Sequence, residues 1–367
     1  MTHATVGEPV EAHSGIPGQG KDQMSNRLSP GTSVPSRVGV LGGGRMGAGI
    51  AHGFALAGAT VVVVERDGQS AEAARERVES SLAKSLERGG FDGNLDELTG
   101  RLNVSTDYGS FAGCALVVEA VPEDMELKVS ALTAVEAQLG EDAWLASNTS
   151  SLSVTALAGT LQRPERFCGL HFFNPVPASL LVEVVLAKDT SAELAVLARQ
   201  WVDALGKTPV VVNDTPGFAS SRLGVAIALE AIRMVQEGVA CAEDIDAAMV
   251  LGYKFPVGPL RLTDIVGLDV RLGIAEYLHS TLGERFCPPQ LLTKMWPGAS
   301  WAAKPARASM TGMTRPDWSS HGGLDARVCD TAHSCSLINY RTIGQITALE
   351  GEDSASWLAR PGSLDQM

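Results

Sequence analysis

Arg37-Val-Gly-Val-Leu-Gly-Gly-Gly-Arg-Met-Gly47 runs directly into Ala48-Gly-Ile-Ala-His-Gly-Phe-Ala-Leu-Ala-Gly58 and then Ala59-Thr-Val-Val-Val-Val64. The first five residues form a short apolar run of strand length. It breaks into Gly42-x-Gly44-x-x-Gly47, and helical spacing follows at once. The run over 60–64 is almost wholly apolar, as expected of a strand covered on both faces of a parallel sheet. Strand, glycine turn, helix and strand in this order predict a dinucleotide-binding unit. In such a turn the first glycine permits the bend, the second lets backbone approach a pyrophosphate, and the third packs helix on strand. Glu65 ends the second strand, 18 residues after Gly47. A carboxylate there accepts from a ribose 2′-hydroxyl and repels a 2′-phosphate, which favours NAD over NADP; the adjacent Arg66 works against that preference. A glycine-rich turn can also stand without a ligand, and it is the surrounding strands and acid that favour the bound reading.

Outward from this stretch, residues 68–88 read as a long charged helix. Leu116-Val-Val-Glu119 and Trp144-Leu-Ala-Ser147 read as strands, with a helix over about 125–139 between them. The alternation predicts an α/β fold with a parallel sheet through the first ~180 residues. The pattern changes after Pro209-Val-Val-Val212, where Asp214-Thr-Pro-Gly-Phe218 is a turn signal. Arg222–Gly238 then has helical periodicity, and another helix starts at Ala242 with acids in its first turn. The expected organisation is a disordered leader over 1–35, a Rossmann-type domain over 36–213, an all-helical domain over 214–312 and an irregular tail over 313–367. Met24 is a candidate start.

The chain has 367 residues, 45% of them hydrophobic, which suits two domains each with its own core. Its formal net charge of -13 argues against a nucleic-acid partner. It does not exclude an anionic cofactor, because backbone N–H groups hold phosphate locally. No apolar run is long enough for a membrane span, and the N-terminus lacks the apolar core of a signal peptide. Six cysteines are scattered without CxxC pairing, which suits free thiols in a reducing cytoplasm and gives no metal signature.

Chemistry concentrates in Arg166-Phe-Cys-Gly-Leu-His-Phe-Phe-Asn-Pro-Val-Pro177, followed by Leu181-Val-Glu183. One apolar stretch delivers the imidazole of His171; twelve positions later another delivers the carboxylate of Glu183. A neutral imidazole is a base suited to pH 7, and a bonded carboxylate stabilises the imidazolium it becomes. A satisfied core histidine is the competing reading. Ser147-Asn-Thr-Ser-Ser-Leu152 follows a strand, at the sheet edge where α/β folds bind ligands. There Ser150 either holds a substrate alcohol or caps the next helix.

Residues 37 to about 295 resemble the 3-hydroxyacyl-CoA dehydrogenases, NAD-dependent enzymes of fatty-acid β-oxidation and related acyl-CoA pathways. The matching runs are GGGRMGAGIA, VVEAVPEDMELK, ASNTSSL, GLHFFNPVP with LVEVV, NDTPGF, and the helical stretch containing Gly258-Pro-Leu and Asp264-Ile-Val-Gly-Leu-Asp269. The resemblance implies that His171 takes the proton of the C3 hydroxyl and that Glu183 pairs with it. It implies that Ser150 contacts the substrate hydroxyl and the nicotinamide region. Gly42, Gly43, Gly44, Arg45, Met46, Gly47, Glu65, Glu123, Lys128 and Asn174 fall at cofactor-binding positions. Ser81 and Arg88 fall where the family's first long helix contacts coenzyme A. Ser221 stands where the family often has a substrate-binding Asn, so the short hydroxyl puts that contact in doubt. The implied partners are an acyl-CoA substrate and a second copy of the chain, with no metal. Two rival readings are a relative acting on a free hydroxy acid or sugar acid, and a catalytically impaired NAD-binding oligomer.

The resemblance ends at Met295, where the family usually continues Leu-Gly-Arg-Lys-Thr-Gly-x-Gly-Phe-Tyr-Asp-Trp. Shifting the reading frame over Ser300–Gly312 by one base forces Gly from Trp301-Ala302 and Asp from Met310-Thr311, and permits every other residue of that run. A one-base deletion near codon 296 is therefore expected, and Lys304 takes no role. Resequencing the gene checks this: a single inserted base should restore the family ending.

Overall fold

The computed structural model describes residues 33–295. The expected tail, residues 296–312, Lys304 and all but Ser33–Pro35 of the expected leader lie outside the described residues.

Eight strands form one sheet: β1 (Arg37–Leu41), β2 (Thr60–Val64), β3 (Leu102–Ser105), β4 (Leu116–Glu119), β5 (Trp144–Ser147), β6 (Phe167–Phe172), β7 (Leu181–Leu186) and β8 (Thr208–Asn213). Their order is β3-β2-β1-β4-β5-β6-β7-β8. The order reverses between β1 and β4, which opens a crevice at the carboxyl ends of those strands, where open α/β sheets bind ligands. The parallel expectation for the first ~180 residues holds through β6, and the pairing changes at β7. β6 and β7 pair antiparallel, while every other neighbouring pair in the sheet is parallel. Phe173–Leu180 is too short for a crossover connection, so the chain folds straight back.

Six helices accompany the strands: α1 (Arg45–Leu56), α2 (Gly68–Glu87), α3 (Leu95–Thr99), α4 (Met125–Glu136), α5 (Val154–Ala158) and α6 (Ala192–Ala204). Alternation along β2 divides the core. Val61 and Val63 pack with α1, α2 and α6 residues such as Phe54, Val78 and Trp201. Val62 and Val64 pack with α4 and α5 residues such as Leu132 and Leu157. All four valines are fully buried, as a strand covered on both faces requires.

Compact units divide at Leu223 and Gly224, within α7 (Ser220–Gln236), with Ser280–Leu282 counted in the first unit. The second unit continues through α8 (Ala242–Ala247), α9 (Pro259–Val266), α10 (Leu268–Leu282) and α11 (Gln290–Met295). Its buried side chains include Leu229, Ile232, Ile245, Leu260, Ala275 and Leu292. Asp246, itself buried, accepts the N–H groups of Leu260 and Arg261 at 2.8 and 2.9 Å and so caps α9. Gly258 makes room for it: a Cβ there would lie 2.2 Å from the Asp246 carboxyl carbon.

Candidate active site

His171 and Glu183 stand directly opposite one another in the β6–β7 register. Opposed residues of an antiparallel pair share a face, so twelve residues of separation collapse to a contact. His171 Nδ1 lies 2.8 Å from Glu183 Oε2. The carboxylate is fully buried and saturated by donors. Its Oε1 accepts from the backbone N–H groups of Ala219 (3.0 Å) and Ser220 (2.8 Å), and its Oε2 also accepts from Ser220 Oγ (2.7 Å). These donors open α7, and the tight turn before it, with Gly217 at φ 74° and Phe218 at φ 49°, aims them. Burial pushes the carboxyl pKa up, but the hydrogen bonds from His171 and Ser220 outweigh it and hold Glu183 below its ordinary value.

That charge state fixes the tautomer. An ionised carboxylate can only accept, so Nδ1 carries the proton and Nε2 of the neutral ring keeps its lone pair. Among the described residues Nε2 has no hydrogen-bond partner. The ring is held against Phe173 and Phe218, with centroids at 4.5 and 5.7 Å. Ser221, expected at the substrate, has no side-chain hydrogen bond among the described residues; its neighbour Ser220 is the one tied to the pair. The sequence reading missed Ser220, whose only local signal is its place at a helix start after Pro-Gly-Phe.

A second polar cluster sits at the carboxyl ends of β4 and β5. Glu123 Oε1 accepts from Thr149 Oγ1 (2.7 Å), Ser150 N (2.9 Å), Ser150 Oγ (3.2 Å), Ser151 N (2.9 Å) and Ser151 Oγ (3.0 Å). Burial raises the Glu123 pKa, but Lys128 and these hydrogen bonds outweigh it and hold the group below its ordinary value. Ser150 is thus engaged by a carboxylate and does not cap a helix; Ser153 caps α5, accepting from Ala156 N. Lys128 is 1% exposed, and its ammonium meets Glu119 (2.7 Å), the Val121 carbonyl (3.2 Å) and Glu123 (3.4 Å). Lys128 thus hydrogen-bonds Glu119 and the Val121 carbonyl and lies within ion-pair distance of Glu123, whose charge it offsets. Glu119, Ser147 and Asn148 were not singled out from sequence. Ser147 donates to Glu119 (2.6 Å), and Asn148 accepts from the Phe172 N–H (2.9 Å) next to His171.

The glycine turn has the form a pyrophosphate needs. Gly44 precedes α1 with no side-chain cap, and no acid stands in the first turn. The leading N–H groups of α1 therefore lack intrahelical partners and face outward with the positive end of the helix dipole. A Cβ on Gly44 would meet nothing within 4 Å, whereas one on Gly47 would lie 1.7 Å from the Gly42 carbonyl oxygen. Gly43 is also tight, 2.4 Å from Ala74 Cβ, and its N–H donates to Glu65 Oε1 at 2.7 Å. Gly44 and Gly47 thus do different work. Gly47→Ala is expected to abolish NAD binding and cost about 1–3 kcal/mol of stability through overpacking. Gly44→Ala should weaken NAD binding and leave urea unfolding unchanged. Calorimetric titration beside urea denaturation checks both; equal stability of the two variants would remove the assigned role of Gly47.

A cavity of about 360 Å³ lies against the amino ends of α1 and the middle of α2, lined by Arg45, Arg77, Ser81, Asn174 and Val176 among others. It brings together three residues expected from sequence (Arg45, Ser81 and Asn174) and one that was missed. Arg77, one turn before Ser81, donates to the Gly43 carbonyl at 3.2 Å. Arg88, at the end of α2, is exposed and does not line this cavity.

The chain has clear counterparts among known proteins. Residues 37–215 match the family model described as 3-hydroxyacyl-CoA dehydrogenase, NAD binding domain, and residues 217–307 match the C-terminal domain of the same family. The second match runs twelve residues past Met295, so the likeness ends later than the sequence reading set it. A probable 3-hydroxybutyryl-CoA dehydrogenase of Deinococcus radiodurans is 42% identical over 260 residues, which cover 71% of this chain and 94% of the relative. The human mitochondrial hydroxyacyl-coenzyme A dehydrogenase is 40% identical over 67% of this chain and 81% of its own length. The crystal structure of (S)-3-hydroxybutyryl-CoA dehydrogenase from Ralstonia eutropha matches with TM-score 0.69 at 35% identity, over 71% of this chain and 93% of that one. Both halves of the described chain match the family's two domain models, and the chain belongs to the 3-hydroxyacyl-CoA dehydrogenase family.

Proposed function

We propose that this protein oxidises (3S)-3-hydroxyacyl-CoA thioesters to 3-ketoacyl-CoA with NAD, or runs the reverse, in fatty-acid or related acyl-CoA metabolism. The observation that carries the reading is the buried His171–Glu183 pair, whose geometry leaves Nε2 as the basic atom. His171 Nε2 takes the proton of the C3 hydroxyl. Glu183, already ionised and fixed by three further donors, stabilises the imidazolium without having to reorganise. When bound, NAD accepts the hydride that leaves C3.

The chain's other residues bind and orient. The leading amides of α1, with Arg45 and Met46, hold the pyrophosphate, and Glu65 takes the adenosine ribose hydroxyls. Glu123 and Asn174 contribute to the cofactor side, and Ser150, held by Glu123, contacts the substrate oxygen. Ser81, Arg88 and the newly found Arg77 supply the hydroxyl and cations for coenzyme A phosphates. The protein acts as a homodimer: Ile227, Leu251, Tyr253, Ile265 and Val270 of the helical unit are exposed apolar side chains that a partner would cover. A reducing cytoplasm suits Cys114, Cys168, Cys241 and Cys287, all free thiols. Among the described residues, no helix is long and apolar enough to cross a membrane.

NADH formation across a panel of thioesters tests the reading. Turnover is expected with 3-hydroxyacyl-CoA of at least one chain length and not with the matching free acid. Turnover of the free acid alone would move the substrate class to the hydroxy acids, and turnover of neither would leave a dinucleotide-binding protein without this activity.

A further inference from the structure

The helical unit carries a second group of chemically distinct side chains that the dehydrogenation does not use. His279, Glu284 and Cys287 each offer one ligand atom, and the three atoms lie within 4.8 Å of one another. Their backbones are well fixed. α10 ends at Leu282, and Gly283, with φ 84°, turns the chain into a 3-10 turn over Glu284–Phe286. Phe286 is buried and anchors that turn, and Cys287 N donates to the Glu284 carbonyl at 2.9 Å. From α7, Arg233 Nη2 donates to the Cys287 carbonyl at 3.0 Å, which pins the backbone that bears the thiol.

The side chains themselves remain available. His279 Nε2 lies 3.2 Å from Glu284 Oε1, so two of the three donors already converge. Cys287 Sγ makes one long contact with the Pro288 carbonyl, at 3.9 Å. Arg285, the cation nearest in sequence, lies over the Phe286 ring at 5.3 Å to its centroid. Adjacent ligand atoms of a tetrahedral zinc site stand ~3.5 Å apart, as bond lengths of 2.0–2.3 Å require. The observed spacing therefore closes by adjusting the ends of side chains.

We infer that His279, Glu284 and Cys287 form a binding site for a borderline divalent transition ion, zinc above all, with solvent in the fourth position. Nitrogen, thiolate sulfur and carboxylate oxygen together suit Zn²⁺ or Co²⁺, and the sulfur and nitrogen disfavour Mg²⁺ and Ca²⁺. On binding, the Cys287 S–H bond breaks, the thiolate takes the metal, and the proton goes to solvent. The ion staples the segment after α10 to the end of that helix. The spacing His-x4-Glu-x2-Cys lacks a CxxC or HxxxH pair, which is why a scan for metal motifs passes over it.

Cobalt spectroscopy on the full chain tests the site. In a C241S, C329S, C335S background, Cys287 is the one thiol that is not buried among the described cysteines. Adding Co²⁺ should give a thiolate-to-cobalt charge-transfer band at one ion per chain, removed by Zn²⁺ and unaffected by excess Mg²⁺. The band should be lost in C287S and lost or strongly weakened in His279→Gln and Glu284→Gln. The Glu284 side chain is 90% exposed, so its substitution tests ligation without threatening the fold. An isolated reactive thiol would keep its band in both the His279 and Glu284 variants, and that result, like no band at all, overturns the inference.

Discussion

Glu183→Gln is expected to lower kcat by about 10²–10⁴-fold, the range a positioned general base supplies, with NAD affinity unchanged. The amide keeps one oxygen, which can still accept from the Ala219 and Ser220 N–H groups that Oε1 now serves. Its nitrogen then faces the positions of His171 Nδ1 and Ser220 Oγ. Ser220 can rotate its hydroxyl to accept. The imidazole can accept only by moving its proton from Nδ1 to Nε2, and a protonated Nε2 on a neutral ring has no lone pair for the substrate. The substitution thus turns the base into the wrong tautomer and removes the charge that stabilises the imidazolium. Stopped-flow measurement of the hydride step beside NAD titration checks it. An unchanged hydride rate would take Glu183 out of the mechanism.

His171→Gln should reduce turnover at least as far, because the proton acceptor itself is gone, while NAD binding is spared. Glutamine can still donate to Glu183, so the buried carboxylate is not left without that partner. The glycine turn and Glu65 that serve the dinucleotide belong to β1, α1 and the end of β2. Loss of NAD binding together with turnover would instead make His171 structural. The double variant His171→Gln, Glu183→Gln should be no slower than His171→Gln alone, because two groups acting through one imidazole are not additive. Multiplicative losses would show that Glu183 acts by some other route.

Residues 37–64 show what one-dimensional pattern can carry. A valine run buried on both faces, a glycine turn and a helix each follow from neighbours in the chain, and β1, α1 and β2 appear where the spacing predicts them. Their alternation also implies a sheet with helices on two sides. The antiparallel return of β7 was not legible in that rhythm, because a strand's periodicity is the same whichever way its partner runs. Yet the residues at stake fit it: the midpoint of 171 and 183 is Pro177, a fitting centre for a fold-back.

The site divides in the same way. The types were readable: an imidazole, an acid, a glycine turn and an acid at the end of β2. Several other residues came only through family resemblance, and their environment came from packing. The complete burial of Lys128 against Glu119 depends on α4 lying on the carboxyl end of β4. Ser220 joins the pair because the turn at Gly217 and Phe218 brings α7's first amides to β7. Asp246 has the composition of an ordinary acid near a helix start, but it caps a different helix fourteen residues away. Sequence alone determined the dinucleotide unit, the change to helices after β8 and the chemical identity of the catalytic candidates, because each depends on side chains near one another along the chain. Resemblance implied that His171 pairs with Glu183, but tertiary structure alone decided the contact's geometry, the tautomer it imposes and the partners of the buried acids. A hydrogen bond across many residues is set by how two segments dock, and neither segment's own periodicity contains that register.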